Sequence, residues 1–322
     1  MQEITIYKDE CFHSSKDNVP IYYDVYMPQN LDDVCIVQIA HGMVEHKGRY
    51  EWVGRSLAKA GFLVVINDHR GHGKSIDRAH EWGEMGGDTK ISGFEYAVAD
   101  MYSLTCTLKE RYKPTFYVLL GHSMGSLLSR AYIKQYPYEL NALILSGSPA
   151  YNRLVIVGEL LAKGLYVCGL KQWGKHFINR LSFGSFNNAF LEYKDEDCSK
   201  GGFAWLCSDK QVVAAYKADK ACSFVFSLKS FIGLFRGMRF VNDTKGLRGM
   251  HLPLLIISGS DDSCGDFGKG VSKIAKSYEN CGFKVSLKLY AGLRHEILNE
   301  PNKAEVLNDM VRFIQASRVK GV

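Results

Sequence analysis

The chain has 322 residues, 46% of them hydrophobic, enough to bury a large core, and its size fits one domain carrying an insertion. The net charge is +6 with the basic residues dispersed, which argues against a nucleic-acid partner and mildly favours anionic membrane surfaces. Nine cysteines without a CxxC pair point to reduced thiols and a cytoplasmic protein, with no zinc-ligand cluster, no secretory signal pattern and no run of about 18 apolar residues to span a membrane.

Segments 5–9 and 21–27 read as strands of an antiparallel start. Strands and helices then alternate: a strand at 34–40, a helix near 50–60, a strand at 62–66, a helix near 93–111, a strand at 116–120, a helix near 126–136 and a strand at 142–145. In the second helix Phe94, Ala97, Met101, Leu104 and Leu108 recur at three- and four-residue steps and predict a buried stripe. The alternation stops after Ser146-Gly147-Ser148-Pro149. Residues 150–245 are helix-like and aromatic, and the strand pattern resumes at 253–259 and 284–290 before a last helix. The expected architecture is α/β, a mostly parallel central sheet flanked by helices. Residues 1–149 and 246–322 form the core, and 150–245 form an inserted helical cap. In the cap, 154–168 is apolar over most of a helical circumference, with Glu159 and Lys163 marking the side expected to face solvent.

Gly121-His122-Ser123-Met124-Gly125 sits between the strand at 116–120 and the helix that follows. Gly-x-Ser-x-Gly at a strand-to-helix turn lifts a serine hydroxyl above the sheet at a helix N-terminus. A serine near its free pKa is a poor nucleophile at neutral pH, so it needs an imidazole base and an acid to orient that base. Such partners follow in chain order: Asp261 and Asp262 end the strand at 253–259, with Asp262 favoured, and His295 follows the strand at 284–290. Asp266, or one of the pair, is expected to cap a helix. The strand at 34–40 ends in His41-Gly42-Met43, and the backbone N–H groups of Met43 and Met124 are the expected oxyanion donors. His41 reads as a structural hydrogen-bonding residue. His122 reads as a packing residue with its ring turned away from the nucleophile, and His69 and His72 as part of a loop bracing this face in preference to a metal site. Cys264 lies near Asp262 but has no positioned base.

The motifs His41-Gly42-x-x-Glu45-His46-x-x-Arg49-Tyr50, Asp68-His69-Arg70-Gly71-His72-Gly73-x-Ser75 and Gly121-His122-Ser123-Met124-Gly125 resemble the monoacylglycerol lipase and lysophospholipase group of α/β hydrolases, also filed with serine aminopeptidase-like hydrolases. Val44 and Ser126 stand where many members carry glycine. The resemblance implies an α/β-hydrolase fold with Ser123 as nucleophile, Asp262 as acid, His295 as base, and Met43 and Met124 as oxyanion amides. It implies hydrolysis of monoacyl lipid esters through an acyl-serine, without cofactor or metal; the apolar segment 154–168 adds the expectation that the cap lines an acyl tunnel or makes peripheral membrane contact. A short-chain carboxylesterase, an amidase using Glu192, Asp195, Glu196 and Asp197 to hold a substrate ammonium, and a non-catalytic binding protein are the alternatives.

Overall fold

The computed structural model describes residues 3–87, 91–190 and 202–319. Among these, β1 (Ile4–His13), β2 (Pro20–Pro28), β3 (Cys35–Ala40), β4 (Leu63–Asn67), β5 (Phe116–His122), β6 (Ala142–Ser146), β7 (Pro253–Gly259) and β8 (Lys284–Tyr290) form one sheet in the order β1-β2-β4-β3-β5-β6-β7-β8. The first two strands join antiparallel and the remaining pairings are parallel, so the antiparallel start and parallel body agree with the sequence pattern.

Every residue of β3, β4, β5 and β6 is buried. Helices cover both faces, which is why these strands read as continuous apolar runs and not as alternating ones. One face carries α1 (Glu51–Lys59) and α9 (Lys303–Val319), packed on Cys35, Val37 and Ile39. The other carries α2 (Gly93–Tyr112), α3 (Met124–Gln135) and, further along the chain, the helix at Lys269–Glu279. The stripe from Phe94 to Leu108 lies wholly in this second core. A capping box fixes the start of α2, with the Ser92 N–H donating to Glu95 Oε2 at 2.8 Å.

Between β6 and β7 stand α4 (Val155–Val167), α5 (Lys171–Phe183), α6 (Lys210–Ala218) and α7 (Leu228–Asn242); the helix at Lys269–Glu279 is α8. Helix α7 packs on α2 and α3, and α4 packs on α7 and α5. Helix α4 is turned opposite to the expectation from its charges. Glu159 is 3% exposed and takes ion pairs from Lys163, Arg236 and Arg239. Two of these cations belong to α7, and they draw the carboxylate inward. The apolar residues Leu154, Val157 and Leu160 are left facing solvent, at 66%, 50% and 62% exposure.

Candidate active site

Ser123 is the single residue between β5 and α3, at φ 53° and ψ −117°. A non-glycine residue held in such a region costs on the order of 1–3 kcal/mol, so the surroundings must impose it. They do so through close approach. A Cβ at Gly125 would run into the Ala40 carbonyl at the end of β3, and a Cβ at Gly121 into the Gly125 carbonyl and Ser129 Oγ. Two glycines therefore let the helix start directly against the sheet. The Met124 N–H is among the helix-start donors that have no intrahelical acceptor.

The Ser123 hydroxyl donates to His295 Nε2 at 2.8 Å, and His295 Nδ1–H donates to Asp262 Oδ1 at 3.0 Å. Asp262 is fully buried and also accepts from the Cys264 N–H at 2.9 Å and from Ser258 Oγ at 3.0 Å. Burial raises the Asp262 carboxyl, but the charge and hydrogen bond of His295 outweigh it and hold the group below its ordinary range. For His295, burial favours the neutral ring, yet Asp262 outweighs that and lifts it above 6.5. Asp261, by contrast, is exposed and accepts from Ser260 Oγ.

The loop after β3 approaches Ser123 from the other side. An added Cβ on Gly42 would stand 3.1 Å from Ser123 Cβ, so glycine is what lets the two backbones meet. The His69 N–H donates to His41 Nε2 at 3.0 Å, which leaves the His41 proton on Nδ1 to donate to the Gly42 carbonyl at 2.7 Å. A trans peptide is planar with its C=O and N–H opposed, so the hold on the Gly42 oxygen orients the Met43 N–H within whatever position the rest of the loop gives that peptide. At the other end of the same glycine, its N–H donates to Glu45 Oε1, which also accepts from the Tyr50 hydroxyl at 2.8 Å.

The residues expected at the site thus divide clearly. Ser123, His295 and Asp262 come together in one hydrogen-bond chain; Met124 follows Ser123 in sequence, and Met43 follows Gly42, whose backbone meets Ser123. His122 does not turn away: its ring lies 4.9 Å from that of His295, with Nδ1 3.4 Å from Ser146 Oγ, because the buried elbow leaves it no other room. Asp266 caps no helix; Gly268 is the residue before α8, and Asp262 instead holds the turn at Cys264. His69 and His72 pack on His41, with ring centroids 4.3 and 5.2 Å away, in a loop tied by Asp68 to the N–H groups of Lys47 and Lys74. Ser126 bonds Ser148 at 2.6 Å. The acids Glu192, Asp195, Glu196 and Asp197 lie outside the described residues.

Other groups at the site are given no role by the sequence reading, although Glu45 and Arg49 stand in its first motif. Trp205 packs its ring 4.9 Å from His295 and accepts the His295 N–H. Arg49 forks onto both oxygens of Glu296 at 2.6 and 2.7 Å and reaches Glu45 at 2.8 Å, joining the oxyanion-side loop to the histidine loop. Among the described residues, two donor groups are compact enough for a cation: Asp262 with Cys264 and His295, and His46 with Asp219 and Cys222. In the second, His46 Nδ1 accepts from the Gly48 N–H and Nε2–H donates to Asp219 at 2.8 Å. Its proton therefore occupies the nitrogen a metal would need, and the arrangement works as a hydrogen-bonded strap.

The histidines separate electrostatically. Burial pushes His41 and His72 down to about 3, and burial with the neighbouring His295 pushes His122 down to about 4. Ring NMR from about pH 5 to 9 is expected to show these three neutral throughout, while His295 titrates with a midpoint above 6.5. A His295 midpoint below 6.5 would contradict the hold of Asp262.

The family described as serine aminopeptidase, S33, matches residues 33–302. A monoacylglycerol lipase of Mycolicibacterium smegmatis is 32% identical over 301 residues, covering 92% of this chain and 93% of that protein. The monoglyceride lipase of Rattus norvegicus is 26% identical over 281 residues, covering 87% and 80%. The crystal structure of a thermostable carboxyl esterase from Bacillus coagulans, in complex with glycerol, superposes with a TM-score of 0.87 at 26% identity over 98% of this chain and 100% of that one. With this match across most of its length, and with its layered, mostly parallel sheet, the chain belongs to the serine aminopeptidase S33 family and has the α/β-hydrolase fold.

Proposed function

We propose that this ester hydrolase cleaves monoacyl lipids through Ser123, His295 and Asp262. The observation that carries the reading is the unbroken hydrogen-bond chain from the Ser123 hydroxyl through His295 to buried Asp262. In acylation Ser123 Oγ attacks the ester carbonyl while His295 Nε2 takes its proton. The carbonyl oxygen becomes an oxyanion, held by the N–H groups of Met43 and Met124. The intermediate collapses, His295 returns the proton to the departing alcohol, and the acyl group stays on Ser123. Water then attacks the acyl-serine with His295 again as base, releasing the fatty acid. Asp262 keeps the His295 proton on Nδ1 and stabilises the imidazolium.

Two features support a lipid substrate. One is the likeness to monoacylglycerol lipases. The other is the outward face of α4 and α5, where Leu154, Val157, Leu160, Trp173 and Leu181 are exposed beside the exposed cations Lys171 and Arg180. Apolar side chains ringed by cations suit an anionic membrane surface. In this reading 150–245 is a lid over a core of 1–149 and 246–322, and it meets the lipid surface from which substrate is drawn. No helix among the described residues is long and apolar enough to cross a membrane. The eight described cysteines are free, which supports work in a reducing compartment such as the cytoplasm.

Ser123→Ala is expected to lower kcat on a soluble ester by on the order of 10³-fold or more, and Asp262→Asn by on the order of 10⁴ through the wrong tautomer, with Asp261→Asn nearly neutral. Near wild-type turnover by folded Ser123→Ala would refute the assignment, and a reversed ranking of the two aspartates would move the acid to Asp261.

For the surface, burying a leucine side chain is worth about 1.5–3 kcal/mol, so Val157→Glu with Leu160→Glu is expected to weaken binding to anionic vesicles by about tenfold or more. Activity on a long-chain monoacylglycerol falls with it, and activity on an acetyl ester stays within about twofold. Equal losses on both substrates would mean that the face serves packing alone.

A further inference from the structure

Val44, one of the two positions where the chain departs from its family resemblance, adopts φ 59°. That is the left-handed region, where a β-branched side chain is a true outlier. Val44 follows Met43 in the loop after β3, so its backbone helps set the direction of the peptide units facing Ser123. A relaxed Val44 would return to negative φ and carry the loop with it.

One bond opposes that relaxation. The hydroxyl of Tyr216, on α6, donates to the Val44 carbonyl at 2.9 Å. Tyr216 is itself clamped: the Arg49 guanidinium lies 4.8 Å over its ring and the Phe203 ring packs 5.2 Å away. Three backbone atoms of the loop are thus held by side chains: Gly42 O by His41, Gly42 N by Glu45 and Val44 O by Tyr216. The first two holds come from the β3 end and its own loop. The third comes from the segment inserted between β6 and β7. Burial, with the charges of Glu296 and Glu45 against that of Arg49, pushes the Tyr216 hydroxyl well above its ordinary range, so it stays a donor at working pH.

We propose that Tyr216 is a positioning residue: its hydroxyl holds Val44 in the left-handed region, so the oxyanion donor Met43 N–H is correctly aimed only while α6 is docked on the core. The inference rests on the proposed role of Met43 in the reaction above. It makes the inserted segment part of the catalytic geometry as well as a cover over it. A glycine at position 44 would adopt the same φ without strain and would need the tyrosine far less.

The test uses four full-length proteins on p-nitrophenyl acetate, whose acyl group is too short to need a lipid-binding surface: wild type, Tyr216→Phe, Val44→Gly and the double variant. Tyr216→Phe keeps the ring over Arg49 and is expected to lower kcat about tenfold with KM within about twofold, a fraction of what removing an oxyanion donor costs. The midpoint of the acid limb of kcat/KM stays where it is in wild type, because His295 and Asp262 are untouched. In the Val44→Gly background the same tyrosine change costs about threefold or less. The proposal is overturned if Tyr216→Phe leaves kcat within twofold of wild type, if the loss is equal in both backgrounds, or if the pH midpoint moves. Should Tyr216→Phe alone not fold, the double variant is compared with Val44→Gly, and a loss well above threefold overturns it. Ser123→Ala is the control: activity surviving there sinks the catalytic reading itself, whereas activity lost there beside an unaffected Tyr216→Phe sinks only the positioning role.

Discussion

The close approach of α3 to the end of β3 is the constraint on which the site depends. With no side chain at Gly125, the first turn of the helix lies against the Ala40 and His41 carbonyls. That contact sets Ser123 in its strained elbow and brings the Gly42 backbone within reach of it. Ser123 and the loop after β3 are therefore positioned by one packing event between a helix and a neighbouring strand. A β-carbon at Gly125 would push both apart at once. The cost of the elbow is met by the surrounding core, where β3 and β5 are buried throughout and α3 is buried from Met124 to Ile133.

Charge is distributed around this contact with one ring singled out. Five buried histidines lie in or near the site, and burial drives four of them, His41, His69, His72 and His122, toward the neutral form. Of the five, only His295 is hydrogen-bonded to a fully buried carboxylate, and only its value is lifted. A neutral His41 keeps its single proton on Nδ1 and so keeps its hold on the Gly42 carbonyl, while His122 adds no competing charge beside His295. The network of Glu45, Arg49 and Glu296 then ties the loop after β3 to the loop bearing His295. Because Arg49 also stacks on Tyr216, the inserted helices are joined to the same network.

Much of this was legible in the sequence, and the reasons are local. Strands buried on both faces read as apolar runs, the α2 stripe kept its period, and Gly121, Ser123 and Gly125 specify a turn that few other residues could form. Asp262 and His295, the proposed acid and base, stand after β7 and after β8, where chain order alone locates them. What was not legible depended on distant partners. The direction of Glu159 is set by Arg236 and Arg239, about one whole cap away in sequence, so helical periodicity alone pointed the helix the wrong way. Tyr216 reaches Val44 across 172 residues and belongs to no motif. Helix α8 is short and lysine-rich, and its apolar residues Val271, Ile274 and Tyr278 become a face only against β7 and β8. The resting place of His122 follows from the tight packing of the elbow, which no residue pattern records.

The central claim, that Ser123 is activated by His295 to form a covalent acyl intermediate, is tested most directly by reaction with a fluorophosphonate followed by peptide mass spectrometry. The account predicts a single stoichiometric adduct on the peptide carrying Ser123, formed by the wild-type protein and strongly slowed in His295→Ala. An adduct on another residue, or labelling of Ser123 that proceeds at the same rate without His295, would contradict it.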